Sequence, residues 1–384
     1  MRLAIITTHP IQYYAPVFKL MNQQKKLQIK VFYTLGEGGQ NQFDPNFNQK
    51  ISWDIPLLDG YEFQFQQNTS KKPGSHGFWG IKNPLLIKEI EAWKADAVLV
   101  YGWAYQAHLK ALWYFKNKIP VYFRGDSTLL NKKIGVKNCI RNIFLRWIYL
   151  HIDHAFYVGT NNKAYFKHYG LSENQLTFSP HAIDNERFNF LSIKEASGLR
   201  NNLGLTNHQL LILFAGKLEH RKNPLLLLEA FAQLQNSNVH LLFAGNGILE
   251  NTLKARTQEL NLTTQVHFLN FQNQTQMPAL YQTCDLFCLP SESETWGLAV
   301  NEAMACGKAV LVSDQVGCAV DLVKPNVNGD IFESGNLENL LQKLHLLTRS
   351  KSCLTAYGKA SYNIIQDWNF TKMVENITQK ILQS

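Results

Sequence analysis

A chain of 384 residues exceeds what one ordinary hydrophobic core accommodates, so two domains are expected. With 45% hydrophobic and 17% charged residues it reads as soluble and globular, which excludes intrinsic disorder. The net charge of +9 is lopsided: residues 1–190 hold 23 Lys+Arg against 13 Asp+Glu, which is +10, and residues 191–384 hold 15 against 16, which is −1. Nucleic acid, an anionic membrane surface and an acidic small substrate all suit that asymmetry, and composition does not choose among them.

The opening Arg2-Leu3-Ala4-Ile5-Ile6 is apolar for only a few residues, too short for the core of a secretion signal and suited to a first buried strand. No run approaches the ~18 apolar residues of a spanning helix. The six cysteines show no Cys-x-x-Cys pair and read as reduced thiols in the cytosol. Further strands are expected at Ile29–Tyr33, Ala97–Tyr101, Val121–Phe123, Ala155–Val158 and Leu176–Phe178. Between them fall helical patterns near Tyr13–Met21, Asn83–Trp93, Tyr105–Phe115, Asn138–Leu150 and Asn161–Tyr169. Gly36–Gln49, rich in Gly, Asn and Gln, reads as a long loop.

After a polar stretch at about 184–206, taken as the linker, a second series begins. Its strands are Leu210–Ala215, His240–Ala244, Val266–Leu269, Leu286–Leu289 and Ala309–Val312. Its helices lie near Pro224–Leu234, Leu249–Glu259, Gln276–Thr283, Leu298–Ala305 and Leu337–Leu347. Strand–helix alternation of this kind predicts an α/β protein: two doubly wound Rossmann-like domains facing a central cleft. The expected division is 1–188, 189–366, and a C-terminal helix in 367–384 packing back on the first domain.

Two stretches of the second half carry chemistry. Glu294 and Glu302 flank an expected helix start near Gly297, in Pro290-Ser-Glu-Ser-Glu294-Thr-Trp-Gly297-Leu-Ala-Val-Asn-Glu302. Free N–H groups at a helix start attract phosphate, and carboxylates beside them can hold sugar or ribose hydroxyls. Taken alone, such a Glu pair is most often a solvated helix end. The second stretch, Gly216-Lys217-Leu218-Glu219-His220-Arg221-Lys222, leaves a strand through a glycine and offers Lys217 and Lys222. Cations there can stabilise a departing diphosphate, whereas an isolated basic loop is usually only solvated.

The two stretches together, in this order, resemble glycosyltransferase family 4, whose members are retaining enzymes of the GT-B fold. The family's Gly-Arg-Leu-x-x-x-Lys stretch looks like Gly216–Lys222, with Lys217 at the Arg position, and its Glu-x7-Glu motif matches Glu294 and Glu302. Phe243-Ala-Gly-Asn-Gly247 and Ser313-Asp-Gln-Val-Gly317 extend the likeness across about 205–345. The resemblance implies that Glu294 contacts the transferred sugar and Glu302 the ribose. Gly216, Lys217, Lys222, Thr295, Gly297 and Leu298 complete the donor-binding set. In the first half, Thr8-His9-Pro10-Ile11-Gln12-Tyr13 looks like the first strand-to-helix loop of polysaccharide-type members, making His9 and Gln12 candidates for donor or acceptor contact. Asp126 stands where many members have a His that contacts the donor sugar, and it joins Glu294 as a candidate catalytic residue.

No Asp-x-Asp and no metal-like cluster occurs in the sequence, so no metal or other cofactor is expected, and lysines would carry the leaving-group charge. The expectation is a retaining, metal-independent transferase using a nucleotide sugar, acting on a glycan or lipid-linked acceptor in cell-surface polysaccharide synthesis. A GT-B-fold epimerase or phosphorylase is the nearest alternative, although no pyridoxal lysine is marked. A non-catalytic glycan- or nucleic-acid-binding protein is the other; no nucleic-acid partner is expected, as a stacking motif is lacking. The location expected is cytoplasmic, against the inner face of the membrane. There, Lys133, Lys137 and Arg141 form a basic helical face over anionic lipid, with Ile140, Phe144, Trp147 and Ile148 on another face.

Overall fold

The computed structural model describes residues 1–37, 43–44, 49–50, 53–130, 135–189 and 192–383; at 43–44, 49–50, 136–138 and 193 it describes backbone alone. In chain order the first strands are β1 (Arg2–Thr7), β2 (Gln28–Tyr33), the two-residue pair β3 (Phe43–Asp44) and β4 (Gln49–Lys50), and β5 (Glu62–Phe65). β6 (Ala97–Tyr101), β7 (Val121–Arg124), β8 (His154–Tyr157) and β9 (Leu176–Phe178) follow. Apart from the antiparallel β3–β4 pair, they form one parallel sheet in the order β5-β2-β1-β6-β7-β8-β9. Helices cover both of its faces, so its central strands are continuous apolar runs. Leu3 and Ile5 of β1 enter one core, with Met373, Val374 and Ile377 of helix Phe370–Leu382; Ala4 and Ile6 enter the other, with Leu145 and Ile148.

The second sheet is again parallel. Its strands are β10 (Leu210–Ala215), β11 (Val239–Ala244), β12 (Val266–Leu269), β13 (Leu286–Leu289), β14 (Ala309–Ser313) and β15 (Gly329–Phe332), ordered β12-β11-β10-β13-β14-β15. In each sheet the strand order reverses once, between β1 and β6 in the first and between β10 and β13 in the second. Ligands of open α/β sheets bind at the carboxyl ends of strands flanking such a reversal. The chain thus makes two Rossmann-like units: residues of 1–42, 55–181 and 370–384 form one, and 43–54 with 182–369 form the other.

Three expectations change. The stretch 184–206 is not a bare linker but carries helices Asn185–Asn189 and Ile193–Asn202. Its polar side chains find partners inside the second unit: Arg200 donates to the Thr283 carbonyl at 2.9 Å and pairs with Asp285 at 3.2 Å, while Phe188 is buried edge-on to Tyr281. The crossing from the first series of strands to the second therefore lies at 181/182, ahead of residue 188, and the chain returns to the first unit at 369/370. Strands β5 and β15 have no counterpart among the expected strands. β15 is possible because residue 329 is glycine, where a Cβ would meet the Val310 carbonyl oxygen at 1.8 Å, and because its buried Asp330 pairs with Lys343. Finally, on helix Val136–Tyr149 the core-facing residues are Leu145, Ile148 and Tyr149, whereas Ile140, Phe144 and Trp147 face outward. Lys133 and much of Gly36–Gln49 lie outside the described residues.

Candidate functional site

The second unit's site is assembled from loops that leave adjacent strands. β10 ends at Ala215, and Gly216 turns the chain with φ +153°. The loop then runs against the loop after β11: Gly216 N–H donates to the Ala244 carbonyl at 3.0 Å, and Leu218 N–H to that of Asn246 at 3.0 Å. This approach is open only to glycine opposite. A Cβ on Gly245 would lie 2.1 Å from the Gly216 oxygen, and one on Gly247 2.4 Å from the Leu218 oxygen. A 3₁₀ turn, His220–Lys222, follows; Asn223 is left-handed at φ +49°, and Pro224 opens the next helix at a position where a missing N–H costs nothing.

From the far side of the reversal comes the loop after β13. Glu292 N–H donates to the Arg221 carbonyl at 2.9 Å, and Asn223 donates to the Glu292 carboxylate at 3.0 Å. These bonds bring Lys222 and Glu294 into an ion pair, with side chains only 16% and 13% exposed. The backbone of Glu294 is held on both sides, its N–H by the Gln315 carbonyl and its carbonyl by Gly317 N–H at 3.0 Å. A Cβ on Gly317 would sit 1.9 Å from the Thr295 oxygen, so the loop after β14 can lie this close only as glycine. Gly297, at φ +100°, caps helix Leu298–Ala305, beyond the exposed Thr295 and the buried Trp296.

Glu302 is buried on that helix and accepts a hydrogen bond from the Tyr281 hydroxyl at 2.8 Å. Sequence reasoning missed Tyr281, because only the packing of helix Met277–Thr283 beside helix Leu298–Ala305 joins the two. Lys217 is partly buried at the start of the β10 loop. A fixed cation, a neighbouring carboxylate and a helix N-terminus at a sheet reversal form a place for an anionic ligand that also presents hydroxyls.

His9, Gln12 and Asp126 lie in the first unit, in the loops after β1 and β7. His9 Nδ1 is 2.9 Å from the Thr8 hydroxyl, and burial holds its pKa below the ordinary histidine value. Around Asp126 gathers a cluster that sequence reasoning did not find. The Arg124 guanidinium is buried and donates to the Ser179 and Pro180 carbonyls, each at 2.9 Å. The Tyr14 ring packs on Tyr101 at 4.8 Å and on His181 at 6.1 Å. Burial, then the charge of Asp126, raises the Tyr14 hydroxyl well above the ordinary tyrosine range. Burial, then Arg124, pushes His181 down to about 3. Among the described residues no group of three His, Cys, Asp or Glu side chains is gathered to hold a metal ion, and no helix is long and apolar enough to cross a membrane.

Comparison with known proteins adds to this geometry. An uncharacterized glycosyltransferase of Methanocaldococcus jannaschii is 29% identical over 191 residues, 50% of this chain and 44% of that protein. The N-acetylgalactosamine-N,N'-diacetylbacillosaminyl-diphospho-undecaprenol 4-alpha-N-acetylgalactosaminyltransferase of Campylobacter jejuni is 31% identical over 172 residues, 44% of this chain and 46% of that protein. The chain thus spans about half the length of the curated relatives it matches. Among solved structures, the Anabaena protein Alr3699/HepE in complex with UDP aligns over 100% of both chains with a TM-score of 0.76 at 18% identity. Sucrose-phosphate synthase from Thermosynechococcus elongatus aligns over 100% of this chain and 98% of its own, also at 0.76 and 18%. These likenesses identify the fold as that of the GT-B glycosyltransferases. Residues 197–364, the stretch that holds Lys217, Lys222, Glu294 and Glu302, match the family model of the glycosyl transferases group 1.

Proposed function

We propose that the protein is a glycosyltransferase that moves a sugar from a nucleoside-diphosphate sugar to a glycan or lipid-linked acceptor, in cell-surface polysaccharide synthesis. The observation that carries this reading is the Lys222–Glu294 pair, fixed by three loops at the reversal of the second sheet. Lys222, with Lys217 and the helix start at Gly297–Leu298, offers positive charge to a departing diphosphate, as preorganised cations do in other reactions. Arrival of the diphosphate gives Lys222 a second anionic partner and frees Glu294 to accept from the sugar's hydroxyls. Glu302, oriented by Tyr281, takes the ribose hydroxyls.

Retention of configuration is part of the proposal and follows the family resemblance. The diphosphate departs from the face on which the acceptor hydroxyl attacks, and its oxygen receives that hydroxyl's proton. By the family resemblance Asp126, in the loop after β7, is the first-unit residue assigned to the transferred sugar, and His9 and Gln12, in the loop after β1, are assigned to donor or acceptor contact. Lysines in place of a metal ion make the reaction metal-independent. Radiolabelled UDP-, GDP- and ADP-sugars incubated without acceptor, with and without excess EDTA, test this reading. Slow hydrolysis of one donor that persists in EDTA is expected. Hydrolysis of none, or activity lost in EDTA and restored by Mn²⁺, contradicts it.

A further inference from the structure

Helix Val136–Tyr149 presents its two sides unequally. Leu145, Ile148 and Tyr149 are buried in the first unit's core. On the other side Ile140, Ile143, Phe144 and Trp147, continued by Leu150 just past the helix end, are between 41% and 71% exposed. At 3.6 residues per turn these five fall within an arc of about 120°. They are joined by rings: Phe144 stacks on Trp147 at 5.9 Å and meets Trp103 edge-on at 6.0 Å. Trp103 and Phe144 in turn wall an apolar groove with Phe78 and Tyr105. Isolated exposed apolar residues are ordinary, but a contiguous aliphatic and aromatic seam on one helix marks a surface that binds something.

The charge around the seam names the partner. Between Asp126 and Asp153 the sequence contains five Lys or Arg (Lys132, Lys133, Lys137, Arg141 and Arg146) and no Asp or Glu. Arg141 and Arg146 are exposed on the helix itself. An apolar stripe with tryptophan and phenylalanine, in a segment whose only charged residues are cations, is the pattern of a helix lying in the interface of an anionic bilayer. We infer that this helix docks the protein on anionic lipid, with the Ile140–Leu150 seam inserted among the acyl chains and the arginines at headgroup level. The seam, not the basic face read from the sequence, is the anchor. The inference goes beyond the transferase reading and stands without it.

Co-sedimentation of the full chain with phosphatidylcholine vesicles, with or without about 30% phosphatidylglycerol, tests the inference. The chain is expected to bind the anionic vesicles with a blue shift of tryptophan emission. Binding weakens at about 0.5 M salt without vanishing, since insertion of apolar surface is not screened. Ile143→Glu/Trp147→Glu should weaken binding about tenfold or more, and Arg141→Gln/Arg146→Gln should weaken it less and mainly at low salt. Both variants change exposed side chains, so their melting temperatures and nucleotide binding should match those of the unaltered chain, which keeps failure here separate from failure of the transferase reading. The inference is overturned if the Ile143→Glu/Trp147→Glu variant binds as well as the unaltered chain, or if neutral and anionic vesicles bind equally. It is equally overturned if the chain sediments as a dimer that this variant dissociates.

Discussion

The two sheets reverse strand order in the same way but are furnished differently at the reversal. In the second unit the loops after β10, β11, β13 and β14 are drawn together by backbone, with Gly245, Gly247 and Gly317 each admitting a carbonyl where a Cβ would collide. The charged groups Lys222 and Glu294 then ride on a rigid frame. In the first unit the loops after β1 and β7 are held by buried side chains: Arg124 on two carbonyls, Tyr14 between Tyr101 and His181. A site framed by backbone tolerates exchange of its functional side chains without unfolding, whereas one framed by buried polar side chains couples function to stability and pH.

The largest effect expected from this contrast is on the second unit's cation. Lys222→Ala should lower kcat/KM by about 10²–10³, the loss typical of removing one preorganised charge-stabilising group, with an unchanged melting temperature. Steady-state kinetics beside thermal melts measures both, and a loss of less than tenfold would detach Lys222 from the chemistry.

Next in size is the frame itself. Gly317→Ala places a methyl against the Thr295 carbonyl and should cost about 2–4 kcal/mol in denaturant unfolding. If it folds with unaltered stability and turnover, the three loops are not held as described. Glu302→Ala should raise donor KM by about 10- to 100-fold, from a charged hydrogen bond of about 1.5–3 kcal/mol, and leave kcat nearly unchanged. Glu294→Gln should show the reverse split if, as proposed, its partner is the sugar in the transition state. Equal splits in the two variants would undo the assignment of sugar to one carboxylate and ribose to the other.

The remaining effect is one of pH and belongs to the first unit. Burial pushes His108 down to about 4 and His181 to about 3, below the ordinary value of 6.5. A histidine kept neutral by the fold contributes stability above its unfolded pKa, and that contribution is lost as pH falls toward the folded value. From pH 7 to pH 5 each should withdraw about 2 kcal/mol. Hydrogen exchange should therefore show β1, β6 and β7 losing protection on acidification more than β13 and β14, which lie across β10 from His240 and His267, whose values burial also lowers. Equal loss in the two sheets would remove the contrast.

What the sequence disclosed follows the same division. Gly216–Lys222 and Glu294–Glu302 each lie within a few residues, next to strands that are unbroken apolar runs, so local spacing places them together once the sheet forms. The Tyr281 bond to Glu302 depends on how two helices pack, which no spacing encodes. Arg124 reads as one more cation in a basic half until its burial is seen. On helix Val136–Tyr149 periodicity grouped Ile148 with Ile140, Phe144 and Trp147, yet Ile148 is buried and the other three are exposed, because two apolar stripes compete there and only packing decides between them. β15 was hidden because a glycine and an aspartate open it, and neither favours a strand alone.

The central claim is that the reversal between β10 and β13 binds a nucleoside diphosphate through Lys222 without a metal ion. Isothermal titration calorimetry with UDP, GDP and ADP in EDTA, on the unaltered chain and on Lys222→Ala, measures this directly. One of the three nucleotides should bind at a single site, and Lys222→Ala should bind it about tenfold more weakly or worse, as loss of a charge-assisted contact requires. Binding of none of them, or equal binding by the variant, would contradict the account.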